Sequence, residues 1–362
     1  MRKYSSEHRA LLWLNMFVGL ITPKINKLVA NIGSAEKVLN EYAKHKAYID
    51  QVCGKIASAK MGYAIDNNMI DSVLEDMGKS RIGFITRDDI EYPYLLKEIP
   101  CPPSILYYKG DIALLGTRIV GVVGSREPSR YGAEVTQTFS NALAKSGLTI
   151  GSGLARGIDS IAHSAAIAAD GKTIAVLGCG IDKVYPAENA HLYRLIEEKG
   201  LIISEYPLGA KPSTYHFPER NRIISGISCG VLVTEAGLKS GSIITAEITV
   251  DQGRELYVIP SNITSKRAAG SNNLIKRYPH SITLSPDDIL ERMGLQQPKM
   301  DVSTMQLDFT TEKILEALSY GDLHFDELRE ISGLGVSALN AVLAKMELLG
   351  LAKKLENNYY GA

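Results

Sequence analysis

The chain has 362 residues, 45% hydrophobic and 22% charged, with a formal net charge of +0. That length allows two or three domains and a sizeable core, and the composition is that of an ordinary soluble globular protein. Whole-molecule charge argues for no partner, so a nucleic-acid surface has to be a local basic patch.

Cys53, Cys101, Cys179 and Cys229 stand far apart with no C-x-x-C pair, which points to reduced thiols in a cytoplasmic protein, without zinc or disulfides. Arg2 and Lys3 followed by apolar Leu11 to Ile21 imitate a signal peptide. Glu7, His8 and Asn15 interrupt the pattern and no small-x-small site follows. No apolar run reaches the roughly 18 residues of a membrane span, so no membrane insertion is expected.

Residues 1–78 read as a helical domain of sterile-alpha-motif or helix-hairpin-helix type. Leu11, Leu12, Leu14, Phe17 and Val18 recur at helical spacing, Thr22-Pro23 opens a second helix, and Gly33-Ser34 caps a third. A turn such as Gly19-Leu20-Ile21 can hold a DNA backbone. It lacks a second glycine, which favours a packing or protein-contact role.

Residues 80–292 read as a Rossmann-like core. Apolar segments at 82–85, 105–108, 119–123, 148–150, 173–177, 201–204, 230–234 and 256–259 alternate, from 119 onward, with helical patterns near 131–145, 189–199 and 242–252. Near-continuous apolar strands alternating with helices specify a parallel sheet covered on both faces. Residues 293–310 form a polar linker. Over 311–362, three helical patterns and a short hairpin give a winged-helix-like module. Its third helix carries Lys345 and Glu347 but no basic cluster, which favours protein contact or packing over DNA reading.

The chemistry concentrates in segments expected to leave the carboxyl ends of the strands. In Gly151-Ser152-Gly153-Leu-Ala-Arg156-Gly157, the glycines permit close backbone approach, and the following helix start offers N–H groups to an anion. Ser152, Asp159 and His163 imitate a hydrolase triad, but G-x-S-x-G is absent. The plainer reading is that Asp159 neutralises the helix start and His163 packs.

Gly124-Ser125-Arg126 offers a hydroxyl and a bidentate phosphate donor, or else a surface arginine paired with Glu127. The Phe217–Arg222 segment reads as a loop holding an aromatic face, two guanidiniums (Arg220, Arg222) and the Asn221 amide. The alternative makes Phe217 core and pairs Arg222 with an acid such as Glu235. Ser240, Gly241, Ser242 and Thr245 suit an anion, or simply cap a helix, with Lys239, Arg254, Lys266 and Arg267 adding positive charge nearby. Neither G-x-G-x-x-G with a following acid nor G-x-x-x-x-G-K-[ST] occurs, so no nicotinamide cofactor or P-loop chemistry is expected. Phosphate sites without a cleavage constellation suggest binding rather than turnover.

These motifs, with Thr173-Ile-Ala-Val-Leu-Gly178, Tyr185-Pro186, Ser204-Glu205 and Glu235-Ala236, resemble the DNA-processing protein A family (DprA, also called Smf) over about 80–290. The sequence departs from the family at Pro260-Ser261, where Pro-Gly is usual, and at Pro279-His280, where Gly-Ala is usual. The resemblance implies a non-catalytic, cofactor-free protein that binds single-stranded DNA. It implies a homodimer that protects incoming strands and loads the RecA recombinase in natural transformation. Carried over by position, it places DNA contacts at Arg126, along Gly153 to Gly157 and along Phe217 to Arg222; Arg156 falls at a position that varies in the family. The alternative is a nucleoside-monophosphate phosphoribohydrolase of the lysine-decarboxylase-like type. It would use Glu235 or Glu247, but Glu235-Ala-Gly-Leu-Lys-Ser-Gly-Ser242 lacks that family's glycine pair.

Overall fold

The computed structural model describes residues 3–18, 22–295, 309–348 and 351–361, in two compact units, 1–294 and 295–362. The turn at 19–21 and residues 296–308 of the expected linker lie outside the described residues.

Six helices begin the first unit: α1 (Ser6–Val18), α2 (Thr22–Ile32), α3 (Ala35–Asn40), α4 (Tyr42–Cys53), α5 (Lys55–Asp66) and α6 (Met69–Lys79). The periodic residues face inward, with Leu12, Trp13, Leu14, Ile25 and Leu28 all buried. Ser34 caps α3, its Oγ accepting the Lys37 N–H at 3.0 Å. Glu7 of α1 adds a carboxylate at the same helix start, accepting the N–H groups of Ala35 and Glu36 at 2.8 and 2.7 Å.

The sheet follows: β1 (Gly83–Thr86), α7 (Tyr94–Lys97), β2 (Ile105–Gly110), β3 (Ile119–Val123), α8 (Arg130–Lys145), β4 (Thr149–Ser152), α9 (Ile158–Ala168), β5 (Thr173–Leu177), α10 (Ala190–Lys199), β6 (Leu201–Ser204), α11 (His216–Ile227), β7 (Gly230–Val233), α12 (Gly241–Asp251), β8 (Glu255–Val258), α13 (Ala269–Arg277) and α14 (Pro286–Arg292). The strand order is β1-β2-β6-β5-β4-β3-β7-β8. From β6 to β8 every pair is parallel, whereas β2 pairs antiparallel with β6 and β1 with β2. The parallel strands are buried throughout apart from Glu255, which explains their unbroken apolar runs. Strand β3 has β4 on one side and β7 on the other, so the chain reverses direction across the sheet there. The loops after β3 and β7 diverge and open a crevice above the carboxyl ends.

The helical bundle shares a core with the sheet. Met61, Met77 and Leu12 cluster with Phe84, Tyr107 and Ala175. Tyr4 stacks on Phe84 with ring centroids 4.1 Å apart. The buried Tyr107 hydroxyl donates to Asn15 Oδ1 at 2.8 Å, and Asn15 Nδ2 reaches the Glu205 carbonyl at 3.4 Å. Among the described residues, no helix is long and apolar enough to cross a membrane.

The second unit contains α15 (Phe309–Leu318), β9 (Leu323–His324), α16 (Phe325–Ser332), α17 (Val336–Leu348), β10 (Lys353–Lys354) and β11 (Tyr359–Gly361). Its three short strands are ordered β10-β11-β9. The helices close on Ile314, Leu328, Leu339, Leu343 and Met346. Three helices with a small antiparallel sheet make a winged-helix module. Along the chain the expected order is observed: a helical N-terminal region, an extended Rossmann-like α/β core and a winged-helix-like C-terminal module.

Replacing Asn15 by alanine strands the Tyr107 hydroxyl in the core without its acceptor. The expected cost is about 1–3 kcal/mol, read as a lower urea midpoint at unchanged m. The double variant Asn15→Ala/Tyr107→Phe is expected to recover part of the loss, since no buried hydroxyl is then left unpaired.

Candidate nucleic-acid interface

The crevice beside β3 is an open cleft of about 740 Å³. Residues that follow all six parallel strands line it, among them Ser125 and Arg126 after β3, Ala155 after β4, Tyr185 after β5, Phe217 and Asn221 in α11 after β6, and Gly237 and Lys239 to Ser242 after β7. Lys266 and Arg267, after β8, complete the wall.

The β3–α8 loop is tethered from both sides. The Ser125 N–H donates to the Glu235 carbonyl at 2.8 Å, and the Ser125 carbonyl accepts the Ile158 N–H at 3.1 Å. Gly157 (φ +73°) permits that approach, because a Cβ there would collide with the backbone of Ser125 and Arg126. Arg126 therefore sits on fixed backbone with its side chain exposed. No ion pair joins it to Glu127 among the described residues; its guanidinium lies 5.5 Å from the Phe217 ring centroid. Tyr185 stacks on the same ring at 5.5 Å. Gly178 provides the seat, since a Cβ there would stand 2.8 Å from Phe217 Cδ1.

The floor differs from the sequence reading. Phe217 to Arg222, expected as a loop, lies in the first two turns of α11, and the helix directs its side chains to different places. Arg220 turns into the core and is 4% exposed. Its Nη1 donates to the carbonyls of Gly153 (2.7 Å) and Val176, and its Nε to Asn221 Oδ1 at 3.2 Å. Gly153 is glycine because the guanidinium occupies the space a Cβ would fill. Arg222 does not pair with Glu235; it forms an ion pair with the buried Glu205, away from the cleft.

The glycine turn is not an open anion cradle. Asp159 Oδ2 accepts the N–H groups of Gly153 and Ala155 at 3.1 and 3.3 Å, so an internal carboxylate holds the place a phosphate would take. Burial raises the Asp159 pKa, opposed by Arg220 and these backbone donors. Ser152 is buried and donates to the Val122 carbonyl at 2.6 Å, so it faces no ligand. Thr245 is likewise buried, its Oγ1 3.3 Å from the Gly241 carbonyl, although it lines the cleft floor. Ser240 caps α12 and bonds the Ser242 hydroxyl at 2.7 Å. Arg156 at the rim is engaged by Glu188.

Gly124, Ser125, Arg126, Phe217, Arg220, Asn221, Ser240, Gly241, Ser242 and Thr245 thus meet in the cleft. Gly153 lines a smaller cavity beside it, while Ser152, Gly157 and Arg222 line neither. Tyr185 lay outside the sequence-derived site. Its signal was the Tyr185-Pro186 motif, whose peptide bond is cis. Lys239, Lys266 and Arg267, noted in the sequence only as nearby charge, line the cleft directly and form no ion pair among the described residues.

The triad imitation dissolves in three dimensions. His163 is buried, with Nδ1 2.6 Å from Thr173 Oγ1. The threonine proton goes to the Ile150 carbonyl at 2.7 Å, so Nδ1–H must be the donor to Thr173, and Nε2 is left buried without a partner. Burial accordingly pushes the His163 pKa down to about 3. The glutamates required by the phosphoribohydrolase alternative are also engaged. Glu235 takes both the N–H and the hydroxyl of Ser129, each at 2.6 Å, and Glu247 pairs with Arg277.

A doubly wound α/β core with a cationic, aromatic-lined cleft at its switch point, followed by a winged-helix module, defines a polyanion-binding protein. The family model for DNA recombination-mediator protein A matches residues 83–294, and that for the DprA winged helix domain matches 298–358. Protein Smf of Synechocystis is 37% identical over 320 residues, 78% of this chain and 80% of its own length. DNA processing protein DprA of Bacillus subtilis is 42% identical over 222 residues, 61% and 74% of the two chains. Among solved structures, DprA of Streptococcus pneumoniae superposes with a TM-score of 0.66 at 33% identity, covering 80% of this chain and 98% of that one. DprA of Helicobacter pylori, whose structure describes a single-stranded DNA binding mode, gives 0.53 at 31%, covering 58% and 95%. The chain belongs to the DNA recombination-mediator protein A family.

The His163 environment makes acid stability a readout of this core. Unfolded, the imidazole takes up a proton near 6.5; folded, not until about 3. The stability is therefore fully present above 6.5 and is lost as pH falls between the two values, by up to about 1.4 kcal/mol per pH unit. Urea midpoints measured across this window are expected to fall more steeply for the wild type than for His163→Asn.

Proposed function

We propose that the cleft binds single-stranded DNA and that the protein acts as a recombination mediator, protecting incoming strands and delivering them to the RecA recombinase during transformation. The observation that carries the reading is the convergence of Arg126, Lys239, Lys266 and Arg267, none ion-paired among the described residues, around Phe217 and Tyr185. Cations without acidic partners await phosphates, and exposed aromatic surface beside them suits unpaired bases. The Helicobacter pylori relative, whose structure concerns single-stranded DNA binding, supports the same ligand.

The proposed contacts are Arg126, Phe217, Asn221, Ser125 and the Ser240–Ser242 turn at the cleft surface. Arg220, Gly153 and Gly157 hold that surface in shape. In the proposed division of labour, the core over 80–292 carries the strand, with a helical domain over 1–78, a linker over 293–310 and a winged-helix domain over 311–362 attached to it. Homodimerisation and a cytoplasmic setting complete the reading.

Fluorescence anisotropy at matched salt is expected to show tighter binding to oligothymidylate than to duplex, weakening as salt rises. Arg126→Ala is expected to weaken binding by about 1–3 kcal/mol and to reduce the slope of log K against log salt by about 0.7. Equal affinity for single strand and duplex would overturn the proposal. Gly178→Ala is expected to weaken binding by displacing the Phe217 ring, with the salt slope unchanged because no phosphate contact is lost. Delivery to RecA is tested by whether the protein speeds RecA filament formation on strands coated with single-strand-binding protein.

A further inference from the structure

We infer that the strand continues beyond the cleft into a second groove, between Tyr131 and the loop over 260–268, where bases pack against the Tyr131 ring. This rests on the single-strand reading of the cleft. The groove has a volume of about 650 Å³ and is lined by Ser129, Tyr131, Pro260, Ser261, Asn262 and Ser265. The two loops that form it also form the cleft. The β3–α8 loop gives Arg126 to the cleft and Ser129 to the groove, and the β8–α13 loop gives Lys266 and Arg267 to the cleft and Ser261, Asn262 and Ser265 to the groove. A strand whose phosphates are held at Lys266 and Arg267 therefore meets the groove at the next residue of the same loop.

That loop is firmly held. The Tyr131 hydroxyl donates to the Pro260 carbonyl at 2.9 Å, and Asn272 both donates to and accepts from the Ser261 backbone at 3.1 Å. Asn262 Oδ1 accepts the N–H and hydroxyl of Thr264 at 2.9 and 2.8 Å. Across the groove Tyr131 is 45% exposed, so its hydroxyl is anchored while its ring stays open to solvent. A tyrosine ring held in this way can stack a base face. The groove lining carries hydroxyls and an amide but no formal charge, so it suits bases, with the phosphates met at the cationic end.

The test compares oligothymidylates of about 5 and about 20 nucleotides, one that the cleft alone can hold and one long enough to reach the groove. Tyr131→Ala is expected to weaken the long oligonucleotide by at least about fivefold while leaving the short one unchanged, and Tyr131→Phe, which keeps the ring and loses only the hydroxyl tether, is expected to behave as wild type. Unchanged affinity for the long strand, or an equal loss on both lengths, overturns the inference while the short strand still reports the cleft. Absence of wild-type binding to either length overturns the cleft reading, and this inference with it.

Discussion

The buried guanidinium of Arg220 is the constraint on which the cleft depends. It enters from α11, meets the carbonyls that end β4 and β5, and fills the space left by Gly153. Asp159 lies in the same buried environment and ties down the turn above. A charge so enclosed stays in place only while its acceptors do. Losing a partner leaves it uncompensated, which typically costs about 3–5 kcal/mol. The network thus joins three strand-end segments into one rigid floor, and the exposed residues of α11 inherit their positions from it.

Above that floor, the proposed binding surface is assembled from separate loops with little ordering left to do. Ser125 is tethered at both its N–H and its carbonyl, Gly178 seats Phe217, and Glu235 anchors the start of α8 through Ser129. Preorganised cations bind a polyanion without a large loss of side-chain and loop freedom. The neutral net charge is consistent with such a surface, because acids elsewhere offset a cluster that is basic only locally. The helical bundle contributes at one remove. By sharing a core with β1 and β2 and reaching the Glu205 carbonyl, it stiffens that edge of the sheet.

Strand and helix order were legible from residue 119 onward because buried parallel strands leave an unbroken apolar signature between amphipathic helices. The cap at Ser34 was legible because its hydroxyl serves the next turn of the same helix; the glycines were legible as points of close approach, but what approaches them, Arg220 at Gly153 and Phe217 at Gly178, comes from elsewhere in the chain. Phe217 to Arg222 was harder. A proline, a glutamate and two arginines without clear periodicity read as loop, and only tertiary packing makes them a helix start. The two arginines look equivalent in sequence; helical rotation sends Arg220 under the glycine turn and Arg222 to Glu205.

By itself, then, the sequence determined the layered architecture, the family resemblance and the loops that would crowd the strand ends, since those follow from period, turn chemistry and motif order. Only the tertiary structure decided which charges remain available. Asp159 occupies the N–H groups that a phosphate was expected to use, Arg220 and Arg222 are taken by internal partners, and Lys239, Lys266 and Arg267 arrive from distant loops to replace them. Whether a charged group is free depends on what folds against it, and those neighbours lie tens of residues away in the chain.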